Sequence, residues 1–219
     1  EDAISHLERA INIKNDFSDA YLILGDALHA LNRNQEAMKN YNLSITFNKE
    51  NFIAYYNLGH LLVECKNYKE ALFNLEKVLN LNSKFDQAYS GMGVVYINLG
   101  KYEISYEKLS KAIELNPLNA MYYLNRGNVL SKLRRFDESL LDYDKAIEIK
   151  PDFAEAYCNR GYVLFNFLYK YEAAKILFDV AISLNPKLTI AFINRAECFV
   201  KLNEFEKALD DFLRALEID

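Results

Sequence analysis

Proline and glycine are scarce in this chain, three and seven in 219 residues, and their places are informative. No apolar run approaches the ~20 residues of a membrane-spanning helix, which excludes one. The sequence at Glu1 shows no signal-peptide pattern. Positive charge is not in excess: 26 Lys and Arg stand against 31 Asp and Glu, a net −5. Phosphate recognition needs a basic footprint, so a nucleic-acid partner is disfavoured. The one basic knot, Lys132, Arg134 and Arg135, reads as a solvated turn. Cysteines are few and odd in number, Cys65, Cys158 and Cys198, without CxxC spacing. They read as reduced, partly buried thiols of an intracellular, cytoplasmic protein. No HExxH, GxSxG, P-loop or dinucleotide-binding pattern occurs, so no enzyme, cofactor or metal is expected. Asn42-Leu43-Ser44 is a formal glycosylation sequon, but Ser44 falls on a helix packing face.

What remains is half hydrophobic and a quarter charged, the composition of an ordered chain. It repeats. Cut every 34 residues from Ser18, it gives units 18–51, 52–85, 86–119, 120–153, 154–188 and 189–219, preceded by a second half-unit, 1–17, with Ala3, Leu7, Ala10 and Ile11 on its apolar face. The fourth place holds Tyr21, Tyr55, Tyr89, Tyr123, Tyr157 and Phe192, and the eighth Gly25, Gly59, Gly93, Gly127, Gly161 and Ala196. In each second half one column reads Ala37, Ala71, Ser105, Ser139, Ala174, Ala208 and another Tyr41, Leu75, Leu109, Tyr143, Phe178, Phe212. Pro117, Pro151 and Pro186 close three units. Glycine inside a helix costs about 1 kcal/mol against alanine, so its recurrence at one place points to a close helix approach. Asn119 and Asp152 stand where N-caps are wanted. One such hairpin cannot offset its ordering entropy, and stacking supplies the missing burial.

The Tyr–Leu–Gly–Leu, Ala–Tyr–Ala and Pro pattern at this period resembles the tetratricopeptide repeat family over essentially the whole chain. That resemblance implies an all-α fold, a right-handed superhelical α-solenoid of stacked antiparallel helix pairs in one continuous domain. It also implies a concave groove, lined by first helices, that binds peptides or proteins. There are departures: Ser44 and Val78 replace alanine, Lys49 and Ser83 replace proline, and the fifth unit has an extra residue near Leu168-Tyr169-Lys170.

The family's groove places carry candidate binding residues. The sixth place gives Asn57, Asn125, Asn159 and Asn194, either a ladder of amides able to grip a peptide backbone or merely solvated asparagines. The ninth gives Asp26, His60, Asn128, Tyr162 and Glu197. Tyr56, Tyr162 and Phe165 are either ligand anchors or packing between helices. No lysine stands at the fifth place, so the carboxylate clamp of chaperone-binding members is not expected. Asp26, His29 and His60 come within reach of one another, but no motif makes them a metal site. The favoured function is a non-catalytic interaction scaffold. The alternative is the substrate-recruiting arm of a larger enzyme such as a glycosyltransferase, and the mid-repeat start reads as a piece of a longer protein.

Three further expectations follow. The seventh place changes from Leu24, Leu58 and Met92 to Arg126, Arg160 and Arg195, and Asp142 and Asp211 stand sixteen residues beyond two of these arginines. Pairs Arg126–Asp142 and Arg195–Asp211 are expected, with Arg160, which faces Leu177 in its own unit, turning to Asp142. The extra residue of the fifth unit should lie in the turn. Leu209, Phe212 and Leu216 at one end, and Ile4, Leu7 and Ile11 at the other, should be partly exposed and promote end-to-end self-association.

Overall fold

The computed structural model describes residues 2–218, with side chains from Ile4 onward, so Ala3 lies outside the described side chains. Among these residues there are thirteen α-helices and no strand. The chain divides into two compact units, Glu1–Gly100 and Lys101–Asp219. The first holds α1 (Asp2–Ile13), α2 (Ser18–Ala30), α3 (Asn34–Phe47), α4 (Phe52–Glu64), α5 (Tyr68–Leu81) and α6 (Asp86–Asn98). The second holds α7 (Tyr102–Leu115), α8 (Ala120–Lys132), α9 (Phe136–Ile149), α10 (Ala154–Asn166), α11 (Tyr171–Leu184), α12 (Thr189–Lys201) and α13 (Phe205–Ile218). Within each unit consecutive helices pack as antiparallel pairs, and each pair stacks on the next.

The glycine column has a definite cause. A Cβ on Gly127 would lie 2.7 Å from the Tyr143 ring, and one on Gly161 would lie 2.7 Å from the Phe178 ring. The aromatic ring of the second helix thus occupies the space that a side chain on the first helix would need. Tyr41, Tyr143 and Phe178 are fully buried there. Where the partner is Leu75, the approach to Gly59 relaxes to 3.2 Å. The small residues pack equally closely: Ala37, Ala71 and Ala174 are buried, and Ser139 Oγ donates to the Gly127 carbonyl at 2.8 Å.

The turns inside the pairs use one left-handed residue each: Asn32, Lys66, Arg134, Tyr169 and Asn203 have φ of 55–62°. In the first pair the Arg33 N–H returns to the Leu28 carbonyl and the Asn32 N–H to the His29 carbonyl, which closes the helix end. In the fifth repeat the returning bond runs from Lys170 to Leu164, one residue longer. The extra residue lies in this turn, outside both helices.

Joints between pairs differ. Asn119 caps α8 through the Met121 N–H and Asn51 caps α4 through the Ala54 N–H. Asp152 is not a cap. The N-cap of α10 is Phe153, which shares its repeat place with Asn51 and Asn119 and is buried in the joint, leaving Asp152 exposed one residue outside. The first joint lacks proline, yet Ser18 Oγ donates to the Ser44 carbonyl at 3.0 Å and the Asn51 amide reaches both hydroxyls. Ser44 is buried in this clasp, which encloses the sequon's hydroxyl.

The second unit carries the expected ion pairs. Arg126 donates two N–H groups to Asp142 at 2.8 and 2.7 Å, and Arg195 donates two to Asp211 at 2.7 Å each. The hydrogen bonds to these carboxylates raise both guanidinium pKa values against the opposing effect of burial. Arg160 does not reach Asp142. It pairs with Asp144 at 2.7 Å, because Asp142 already holds Arg126 and Asp144 lies sixteen residues upstream. That upstream offset recurs: Arg126 also bonds Ser110, and Arg195 also bonds Asp179. Each arginine therefore ties its own helix to the second helix of the preceding pair, and two of them also to that of their own pair.

At the ends, Ile4, Leu7 and Ile11 are half-buried against the α2–α3 core, the partial exposure expected of them. Leu209, Phe212 and Leu216 of α13 are exposed, Leu216 by 74%.

Candidate protein-interaction surface

The candidate residues all lie on first helices of the pairs, and each unit places them differently. In the first unit α2 and α4 bring Asp26, Tyr56, Asn57 and His60 around one cavity of about 360 Å³, completed by His29, Ala30 and Tyr41. Asp26 Oδ1 accepts from the Tyr41 hydroxyl at 2.9 Å and from the Asn57 amide at 2.7 Å. Burial, with the Asp26 bond second, raises the Tyr41 pKa. Tyr56 is half-buried, edge-on to Phe85 with ring centres 5.0 Å apart and 6.1 Å from His60. Burial raises its pKa as well. Glu64 accepts from His29 Nε2 at 2.8 Å and lies 3.3 Å from His60 Nδ1.

The second unit repeats this arrangement once. Asn128 Oδ1 accepts from the Tyr143 hydroxyl at 2.8 Å and from the Asn159 amide at 2.9 Å. Burial pushes the Tyr143 phenol up to about 12. The ninth-place oxygen is therefore a shared acceptor: it holds a tyrosine of its own pair and an asparagine of the next. Sequence reading assigned both asparagines to the groove but missed this link. Its signal was Tyr41 and Tyr143 standing fifteen residues after Asp26 and Asn128.

Two candidates are corrected. Phe165 is buried, its ring 5.4 Å from Tyr171 in the α10–α11 core, so it is packing and not a ligand anchor. Asn194 is also buried, and its amide donates to Cys158 Sγ at 3.7 Å rather than facing solvent. Of the asparagine column, Asn57, Asn125 and Asn159 remain half-buried at the surface. Asn57 and Asn159 each keep one amide N–H and the carbonyl oxygen beyond the bonds just described. Tyr162 is 42% exposed beside Phe167, and Glu197 is exposed. Among the described residues no group of three His, Cys, Asp or Glu side chains has metal-binding geometry. No described helix is long and apolar enough to cross a membrane.

Comparison with known proteins agrees with the architecture. Models described as TPR repeat match residues 25–64 and 135–166. Models described as tetratricopeptide repeat match 53–85, 86–117, 109–140 and 189–219. The chain belongs to the tetratricopeptide repeat family. Dynein axonemal assembly factor 4 of Rattus norvegicus is 42% identical over 48 residues, 22% of this chain and 11% of that protein. The chain thus spans about a tenth of the length of the curated relatives it matches. Among solved structures, YrrB has a TM-score of 0.66 at 24% identity, over 84% of this chain and 95% of that one. The Cut9–Hcn1 complex of the APC/C has a TM-score of 0.85 at 16% identity, over 97% and 42%. These two likenesses concern the fold.

Proposed function

We propose that the chain is a non-catalytic protein–protein interaction scaffold that binds an extended peptide across its first helices. The observation that carries this reading is the pair of half-buried amides, Asn57 and Asn159. Each is fixed in orientation by its shared acceptor, with one N–H and one carbonyl oxygen left for a peptide backbone. Half-buried Tyr56 stands next to Asn57 on the first helix of its pair in the first unit, and exposed Tyr162 with Asn125 and Glu197 stand on first helices of the second. YrrB, similar in fold, is titled a TPR protein with an unusual peptide-binding site. The free thiols of Cys65, Cys158 and Cys198 fit an intracellular, reducing compartment. Selection of a displayed random dodecapeptide library on the whole chain tests the proposal. Enriched peptides should lose on the order of tenfold in affinity with Asn57→Ala or Asn159→Ala, the loss of about one hydrogen bond to a desolvated partner. No enrichment, or peptides indifferent to both substitutions, overturns it.

A second surface rests on its own observation. The apolar face of α13, with Leu209, Phe212 and Leu216 uncovered, supports end-to-end self-association. Sedimentation velocity should show oligomers that Leu216→Glu abolishes; a wild-type chain that stays monomeric up to high concentration would refute the association.

A further inference from the structure

We infer that the cavity between α2 and α4 seats the cationic side chain of a lysine or arginine in the bound peptide. This rests on the peptide-binding reading and adds the chemistry of one residue of the ligand.

The cavity offers acceptors and ring faces. Asp26 Oδ1 is occupied by Tyr41 and Asn57, while no hydrogen bond reaches Oδ2 among the described residues. Glu64 faces two imidazoles, His29 through Nε2 and His60 through Nδ1. Both rings line the cavity beside Asp26. The ring of Tyr56, held by Phe85, supplies a face for a cation.

The surroundings carry the same sign. Helices α2, α4 and α6 contain Asp19, Asp26, Glu64 and Asp86 and not one lysine or arginine. Every basic residue of the first unit lies on its other helices or in its loops. The corresponding helices of the second unit carry Arg126, Lys132, Arg160, Arg195 and Lys201. A ligand carboxylate in the cavity would face the Asp26 carboxylate with no lysine or arginine in the lining. An apolar side chain would strand Asp26 Oδ2 away from water. A guanidinium or ammonium group satisfies both carboxylate and rings.

The second unit also supplies the control. Asn128 makes the same two bonds with a neutral amide that Asp26 makes with a carboxylate. Asp26→Asn therefore removes the charge and keeps an acceptor for Tyr41 and Asn57. The test is NMR titration of the whole chain with N-acetyl-argininamide, N-acetyl-lysinamide and N-acetyl-norleucinamide, read at the Asn57 amide and the His29 and His60 rings. Either cationic probe, or both, should shift these signals, and Asp26→Asn should weaken that binding about tenfold or more while the norleucine probe stays silent. Equal binding of norleucine, or unchanged affinity in Asp26→Asn, overturns the inference. Enriched peptides that need Asn57 and Asn159, with no cationic probe seated, sink the cavity assignment and leave the groove standing. Probes that seat while no peptide enriches support the cavity and overturn the groove.

Discussion

The two units solve one packing problem with different chemistry. At the seventh repeat place the first unit buries Leu24, Leu58 and Met92, whereas the second inserts Arg126, Arg160 and Arg195. The apolar joint gains its stability from burial and makes no demand on its neighbours' charge. The arginine joint requires an anion on the second helix, and the second unit supplies Asp142, Asp144, Asp179 and Asp211. The same choice leaves the first helices of the first unit free of positive charge. A residue chosen for packing at the joint therefore also decides the sign of the surface beside it.

The largest contrast should appear in thiol reactivity. Cys65 of the first unit is exposed, while Cys158 and Cys198 of the second are buried. Burial pushes their thiols up to about 11 and about 12. At pH 8 their thiolate fractions are then roughly one in a thousand and one in ten thousand. An aromatic disulfide reagent should titrate one thiol within minutes and the other two at least ~100-fold more slowly, as the second unit opens. Three thiols reacting together would show that the second unit is not closed.

Next come the joints. Leu58→Ala should cost about 2–5 kcal/mol through a cavity. Asp142→Asn should cost about 2–3 kcal/mol, because it leaves a mostly buried guanidinium without its counter-charge. Urea denaturation in the Arg126→Met background separates the two mechanisms: the aspartate loss should shrink once the guanidinium is gone and the leucine loss should not. An aspartate loss unchanged without Arg126 would erase the distinction between the units.

A smaller difference lies within the glycine column. Gly127→Ala should destabilise by about 1–2 kcal/mol, the overpacking against Tyr143 outweighing the helix-propensity gain. Gly59→Ala, with 3.2 Å to the nearest Leu75 carbon, should be nearly neutral by thermal melting. The smallest effect belongs to Asp144→Asn. Asp144 is half exposed, and its pair with Arg160 should contribute less than about 1 kcal/mol.

The helices, the turn insertion and the pairs Arg126–Asp142 and Arg195–Asp211 were legible because each is a pattern within single columns. A repeat place tells which way a side chain faces on its own helix. It does not tell how far the neighbouring helix advances over it. Phe165 and Asn194 occupy groove places, yet the α10–α11 core covers one and Cys158 engages the other. Arg160 was misassigned for a related reason: its partner depends on which carboxylate Arg126 has already taken. Asp152 was a register error, correctable from Asn51 and Asn119 alone.

The shared acceptor has a mechanical consequence. Asp26 ties α3 to α4, and Asn128 ties α9 to α10, each through one oxygen bonded from both sides. At the next joint of the first unit the corresponding residue of α6 is Gly91, which has no side chain to give. Under tension along the array, the joint between α4 and α6 is therefore the compliant one. A force probe pulling the first unit apart would register its earliest extension there, with the Asp26 rung still intact.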